Sequence, residues 1–160
     1  MPEVPTGPFL LDAMLGKLAT YLRMCGYDAA YALDDHRDTE ADDELLAAAR
    51  AEDRTLLTRD AQLAVRAGDR GFLLESRDVA DQLRELHDAG LALSLADQPA
   101  RCGACNGPVE RLTADADRDP HAPDDRPVWR CERCGQQFWQ GSHWDRVAET
   151  LAEIRTENAS

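Results

Sequence analysis

The chain has 160 residues, 43% of them apolar, with 31 acidic groups against 18 basic ones for a net charge of −13. That suffices for one ordinary core plus a small module. No stretch approaches the roughly 20 apolar residues of a membrane span and no charged-then-apolar leader points to secretion, so the cytoplasm is the expected compartment and no membrane is expected as a partner.

Phe9-Leu10-Leu11 is a short apolar run ending in Asp12. Leu15, Leu18, Ala19 and Leu22 then share one face of a helix that Gly26 closes. Ala29 to Leu33 suits a second strand and Asp34 to Ala41 a polar loop. Asp42 stands where an N-cap would be, before a helix with Leu45, Leu46 and Ala49 on its apolar face. Thr55-Leu56-Leu57 reads as a buried strand running into Thr58-Arg59-Asp60. A short helix over 61–67, a strand at Phe72-Leu73-Leu74 and a helix carrying Val79, Leu83 and Leu86 as far as Gly90 complete the first part. This alternation predicts an α/β fold, a parallel sheet with helices on both faces.

Residues 91–100 form a link. Beyond it, residues 113–127 are an Asp/Pro-rich loop, Val128-Trp129-Arg130 and Gln137-Phe138-Trp139 are short strands, and Trp144, Val147, Leu151 and Ile154 mark one face of a terminal helix. Cys102, Cys105, Cys131 and Cys134 form two C-x-x-C pairs separated by 25 residues. Each pair offers two thiolates from one tight turn; four thiolates complete a tetrahedral zinc ion and leave no open position, so the metal is structural. A redox C-x-x-C follows a strand and opens a helix, and neither pair does. The expected division is residues 8–97 as the α/β domain and 98–155 as a zinc ribbon with a C-terminal helix.

In an open parallel sheet, ligands bind beyond the carboxyl ends of the strands. Asp12 follows the first strand and Asp60 follows the third, Asp42 opens a helix that can point to the same edge, and Asp78 opens another. Carboxylates about 4 Å apart repel by roughly 4 kcal/mol at an effective dielectric of 20. A divalent cation removes that cost, and all-oxygen ligands favour Mg²⁺ or Mn²⁺. The plain alternative is that Asp42 and Asp60 only cap helices.

The segments Phe9-Leu10-Leu11-Asp12-Ala13-Met14-Leu15-Gly16-Lys17-Leu18-Ala19, Leu22-Arg23-Met24-Cys25-Gly26-Tyr27-Asp28 and Leu56-Leu57-Thr58-Arg59-Asp60 resemble the Mut-seven C-terminal ribonuclease domain family. So does the ribbon end, Cys131-Glu132-Arg133-Cys134-Gly135 with Phe138-Trp139-Gln140-Gly141-Ser142-His143. The resemblance spans residues 9–150. It implies a PIN-like nuclease domain with an appended zinc ribbon, and a metal-dependent ribonuclease whose acids correspond to Asp12, Asp42 and Asp60. Asp43 and Glu44 are adjacent alternatives to Asp42. The implied reaction is in-line hydrolysis giving a 5′-phosphate and a 3′-hydroxyl, without a protein nucleophile, on RNA expected to be single-stranded. The rival is a catalytically silent RNA- or ribosome-associated binding protein.

Lys17 is the sole lysine beside 17 arginines. Five residues after Asp12, it suits a compact phosphate contact or an ordinary exposed position. Arg59 and Arg23 are further candidates for substrate contact, and Thr58 can orient a metal ligand or simply bond nearby backbone. His143 can reach nucleic acid or cap the last helix. Trp129, Phe138 and Trp139 suit base stacking or the ribbon's own core. Up to residue 97 there are 10 basic and 20 acidic residues, and 8 and 11 after it. Such acidity opposes a polyanionic ligand unless it answers a halophilic cytoplasm, where short screening lengths tolerate self-repulsion.

Overall fold

The computed structural model describes residues 7–33, 41–96, 98–113 and 115–157. Its first part holds β1 (Phe9–Leu11), a 3-10 turn (Ala13–Leu15), α1 (Gly16–Met24), β2 (Ala29–Tyr31), α2 (Asp42–Ala51), β3 (Thr55–Thr58), α3 (Ala61–Ala67), β4 (Gly71–Leu73) and α4 (Val79–Asp88). The strands form one parallel sheet in the order β2-β1-β3-β4, with Phe9 beside both Ala29 and Thr55. Most of the polar loop expected from Asp34 to Ala41 lies outside the described residues, as does His36.

Why these runs form a doubly covered sheet is visible in their alternation. Phe9, Leu11, Ala29 and Leu57 face one apolar cluster with Leu15, Leu18 and Leu22 of α1 and Leu83 and Leu86 of α4. Leu10, Ala30 and Leu56 face the other, with Leu45, Leu46 and Ala49 of α2 and Leu63 of α3. Strands buried on both faces need continuous apolar runs rather than polar alternation.

The second part is an antiparallel three-stranded sheet, β5 (Val109–Arg111), β6 (Trp129–Cys131) and β7 (Gln137–Phe138), in that order. The helix α5 (Ser142–Glu157) then returns to the first core, where Val147, Leu151 and Ile154 join the α1–α4 cluster. No helix among the described residues is long and apolar enough to cross a membrane.

The ribbon is fixed to the strand-start edge of the parallel sheet. Ala29 opens β2, the outermost strand among the described residues, and its outward peptide groups have no strand there to pair with. Asn106 Oδ1 accepts from the Ala29 amide at 2.9 Å, and Arg23 Nε donates to the Ala29 carbonyl at 2.8 Å. Arg23 also donates to Gly103 O at 3.0 Å, between the first two cysteines. Asn106 Nδ2 and Arg54 both donate to Asp28 Oδ1 at 2.7 Å. Asn106 itself, at φ 70°, adopts the left-handed conformation that asparagine tolerates.

This knot yields two expected results. Asn106→Ala leaves the buried Ala29 amide unsatisfied and removes one of the two donors to Asp28 Oδ1, and urea melts should show a loss of about 1–3 kcal/mol. The second concerns acid. Burial pushes the Asp28 carboxyl up, but hydrogen bonds from Arg54 and Asn106 and the charges of Arg54 and Arg101 outweigh it, leaving the group below its ordinary value. A depressed carboxylate stabilises fully above its unfolded pKa of about 3.9, and that contribution disappears as pH falls through the lower folded value. Asp28→Asn should therefore flatten the acid limb of the stability curve below about pH 4 while lowering the plateau at neutral pH.

Candidate active site and metal centre

The strand order places β2 on one side of β1 and β3 on the other. The switch in winding therefore falls between β1 and β3, where open sheets present ligand crevices. Asp12 leaves β1 at this point, 7% exposed, and Thr58 ends β3 fully buried. Thr58 Oγ1 donates to Asp12 Oδ2 at 2.7 Å and accepts from the Asp60 amide at 3.0 Å. One hydroxyl thus ties the two acidic turns together. Asp12 Oδ1 accepts from the Ala13 amide at 2.8 Å, while Asp60 Oδ1 caps α3 through the Gln62 and Leu63 amides at 3.0 and 3.2 Å.

Each Asp12 oxygen accepts one hydrogen bond and keeps a lone pair, and Asp60 Oδ2 has no partner among the described residues. These hard oxygen donors suit Mg²⁺ or Mn²⁺. Asp42 is the first residue of α2 rather than its N-cap, which is Ala41. Helix α2 leads back to the start of β3, so its first turn lies toward the strand-end side of the sheet. Asp42, Asp43 and Glu44 are all exposed there, and Asp43 is ion-paired with Arg66 of α3. Asp12, Asp42 and Asp60 do not gather within 4.8 Å of one another; among the described residues only the cysteines form so close a set. Asp78 caps α4 through the Ala80 amide at 3.1 Å.

A cleft of about 480 Å³ opens at the turn after β1, lined by Ala13, Lys17, Tyr31, Arg77, Asp78 and Gln82 among others; Asp12, Asp42 and Asp60 are not in its lining. Tyr31 closes one wall by donating from its hydroxyl to Ala13 O at 2.6 Å. Lys17 and Arg77 are both exposed, without ion-pair partners among the described residues. Arg77 escapes a sequence reading because its segment has no periodic signature; only the fold brings it opposite Lys17. Arg59 is half-buried, and its Nε is buried without a hydrogen-bond partner. Arg23 is 3% exposed and turned toward backbone carbonyls, which removes it from the surface a phosphate can touch. His143 is exposed and lines a separate groove against the far end of α1, away from the acids.

The four cysteines converge as their spacing predicts. Their sulfurs all lie within 4.8 Å of one another, with Cys102–Cys134 at 3.7 Å and Cys105–Cys131 at 3.4 Å. Four sulfurs at 2.3 Å from one tetrahedral ion sit about 3.8 Å apart, so the cluster can hold a metal such as zinc. Backbone geometry favours the thiolates. The Arg133 and Cys134 amides donate to Cys131 Sγ at 3.3 and 3.4 Å. Burial pushes the Cys131 thiol up, but those amides and the neighbouring thiols bring it down to about 7. Gly107 makes room for this packing: a Cβ there would stand 2.9 Å from Cys131 Sγ and 3.2 Å from Cys105 Sγ. Trp129, 4% exposed, belongs to the ribbon's core.

The family model described as Mut7-C RNAse domain matches residues 8–151. No curated protein and no solved structure matches the chain.

Proposed function

The chain belongs to the Mut7-C RNAse domain family, and on that premise we propose that it is a metal-dependent ribonuclease acting on single-stranded RNA. The observation that carries this reading is the Asp12–Thr58–Asp60 linkage at the switch point of the sheet. Asp12, Asp60 and Asp42 would hold Mg²⁺ or Mn²⁺, which supplies charge neutralisation and acidifies water at the scissile phosphate. The cysteine cluster would hold structural zinc.

The chain's own residues position and orient. Thr58 fixes the Asp12 carboxylate by donating to one oxygen while the Ala13 amide holds the other, which leaves a lone pair on each for a cation. Lys17 and Arg77 flank the cleft with positive charge and hold the phosphates on either side of the cut; Arg59 offsets the acids. Water adds to phosphorus opposite the 3′ oxygen, the P–O3′ bond breaks, and the 3′ oxygen takes up a proton. The products are a 5′-phosphate and a 3′-hydroxyl.

The test is cleavage of end-labelled single-stranded RNA with Mn²⁺ in high salt, followed by end-group analysis. Metal-dependent cutting that leaves 5′-phosphates is the expected result. RNA binding without turnover in any divalent metal would instead select a catalytically silent binding protein.

A further inference from the structure

Resting on the reading of RNA as substrate, we propose that the groove between α1, the ribbon and α5 takes an unpaired nucleobase of that RNA, stacked on Trp139. The groove encloses about 340 Å³, and its lining includes Met24, Arg101, Phe138, Trp139, His143 and Trp144. That volume is at the lower end of small-ligand pockets.

Several features point to a base rather than to an apolar partner. Trp129 is consumed by the ribbon core, whereas Phe138, Trp139 and Trp144 remain half-buried at the groove. The ribbon therefore carries more aromatic surface than its own packing uses. Trp139 is held in place by its turn: a Cβ on Gly141 would meet the indole at 3.2 and 3.3 Å, so the ring lies directly against that glycine. A fixed ring loses little freedom when a second ring stacks on it.

Charge narrows the ligand further. In a chain with 31 acidic residues, the groove lining includes no carboxylate; its charged and titratable groups are His143 and Arg101, whose guanidinium also lies 3.8 Å from Asp28 and donates to Asn106 O at 3.2 Å. A planar π-system linked to phosphate matches aromatic rings beside a guanidinium, without demanding one particular base. The location also fits. Lys17 at the start of α1 borders the cleft that opens at Ala13, and Met24 at the end of α1 borders the groove. The two are about 10 Å apart along the helix axis. One strand lying along α1 spans both sites, with the base seated a short way from the cut.

The test uses the full-length, zinc-loaded Asp12→Asn/Asp60→Asn protein to keep RNA intact. A labelled single-stranded 12-mer is compared with an abasic 12-mer carrying the same phosphates, by anisotropy at several salt concentrations and by tryptophan quenching. The base-bearing strand should bind about 5- to 100-fold tighter and alone quench the fluorescence. Trp139→Ala should reduce it to the abasic level without changing the slope of log K against log salt, because stacking releases no counterions. Trp139→Phe should restore most of the loss. The quenching comparison needs no change at Trp139, so a variant that misfolds leaves the proposal testable.

Equal binding of the two strands, or a Trp139→Ala protein that binds as before, overturns the proposal. So does a self-association, seen by sedimentation, that Trp139→Ala abolishes, since the groove would then be filled by a second copy. Cleavage by the wild type, run in parallel, separates the two readings. Turnover without base-dependent binding removes the groove and leaves the ribonuclease; base-dependent binding without turnover does the reverse.

Discussion

Chelation of the intact protein should release one zinc ion per chain and collapse the ribbon. Four thiolates on one ion would hold that sheet together, and a structural zinc site contributes roughly 10–16 kcal/mol to folding. A three-stranded sheet with strands of two or three residues, packed on little more than Leu112, Val128 and Trp129, has too small a core to replace that sum. Trp129 should move from its buried position to water, shifting its emission to the red. Thiol titration gives an independent count. Cys25 is half-buried against the first core, and desolvation, partly offset by the Arg155 charge, pushes its thiol up to about 12, so it should react slowly throughout. Fast-reacting thiols should therefore rise from none to four on chelation. Cys131→Ser should behave as the chelated protein does. Four fast thiols in a folded, untreated protein would rule out the metal centre. Because the ligands must deprotonate to bind, zinc should also be lost on acidification.

The loss should extend past the ribbon, since Gly103 and Asn106 bond Arg23, Asp28 and Ala29 at the edge of the parallel sheet. That attachment was beyond a sequence reading. The Asn106–Ala29 bond joins residues 77 apart, and neither residue lies in a periodic pattern that announces a partner. The strands and helices of the first part were legible because burial on both faces forces apolar runs, and helices impose their own spacing. Strand β5 escapes a sequence reading because Val109 is its single apolar residue, with Glu110 and Arg111 exposed, too little for an alternation to show. The cysteine cluster was legible because metal geometry dictates spacing locally. The acidic edge was half legible. Strand ends set Asp12 and Asp60 at one edge and left Thr58 with two readings, a ligand-orienting hydroxyl or a backbone-bonding turn residue; in the fold it does both at once, which spacing does not announce. Arg77 joins Lys17 only through the fold.

Replacing Asp12 should reduce turnover by roughly 100- to 1,000-fold, the scale of several kcal/mol of lost charge stabilisation at the reacting phosphate. The fold should survive. An asparagine side chain at this position keeps an amide oxygen for the Thr58 hydroxyl or the Ala13 amide, and the site is already largely shielded from water. Asp12→Asn should therefore melt close to the wild type while losing activity across the Mn²⁺ range. Thr58 offers a sharper comparison, because it acts through the two acids. Thr58→Val removes the donor to Asp12 and the acceptor for the Asp60 amide while keeping the buried volume. Loss of an orienting group of this kind typically costs about 10- to 100-fold. It should appear as a raised Mn²⁺ requirement, partly recovered at high Mn²⁺, and Thr58→Ser should restore the wild-type response. A merely structural threonine would lower stability in Thr58→Val and leave the metal titration unmoved. If Asp12→Asn and wild type cut RNA equally, the acidic edge is not where the reaction occurs.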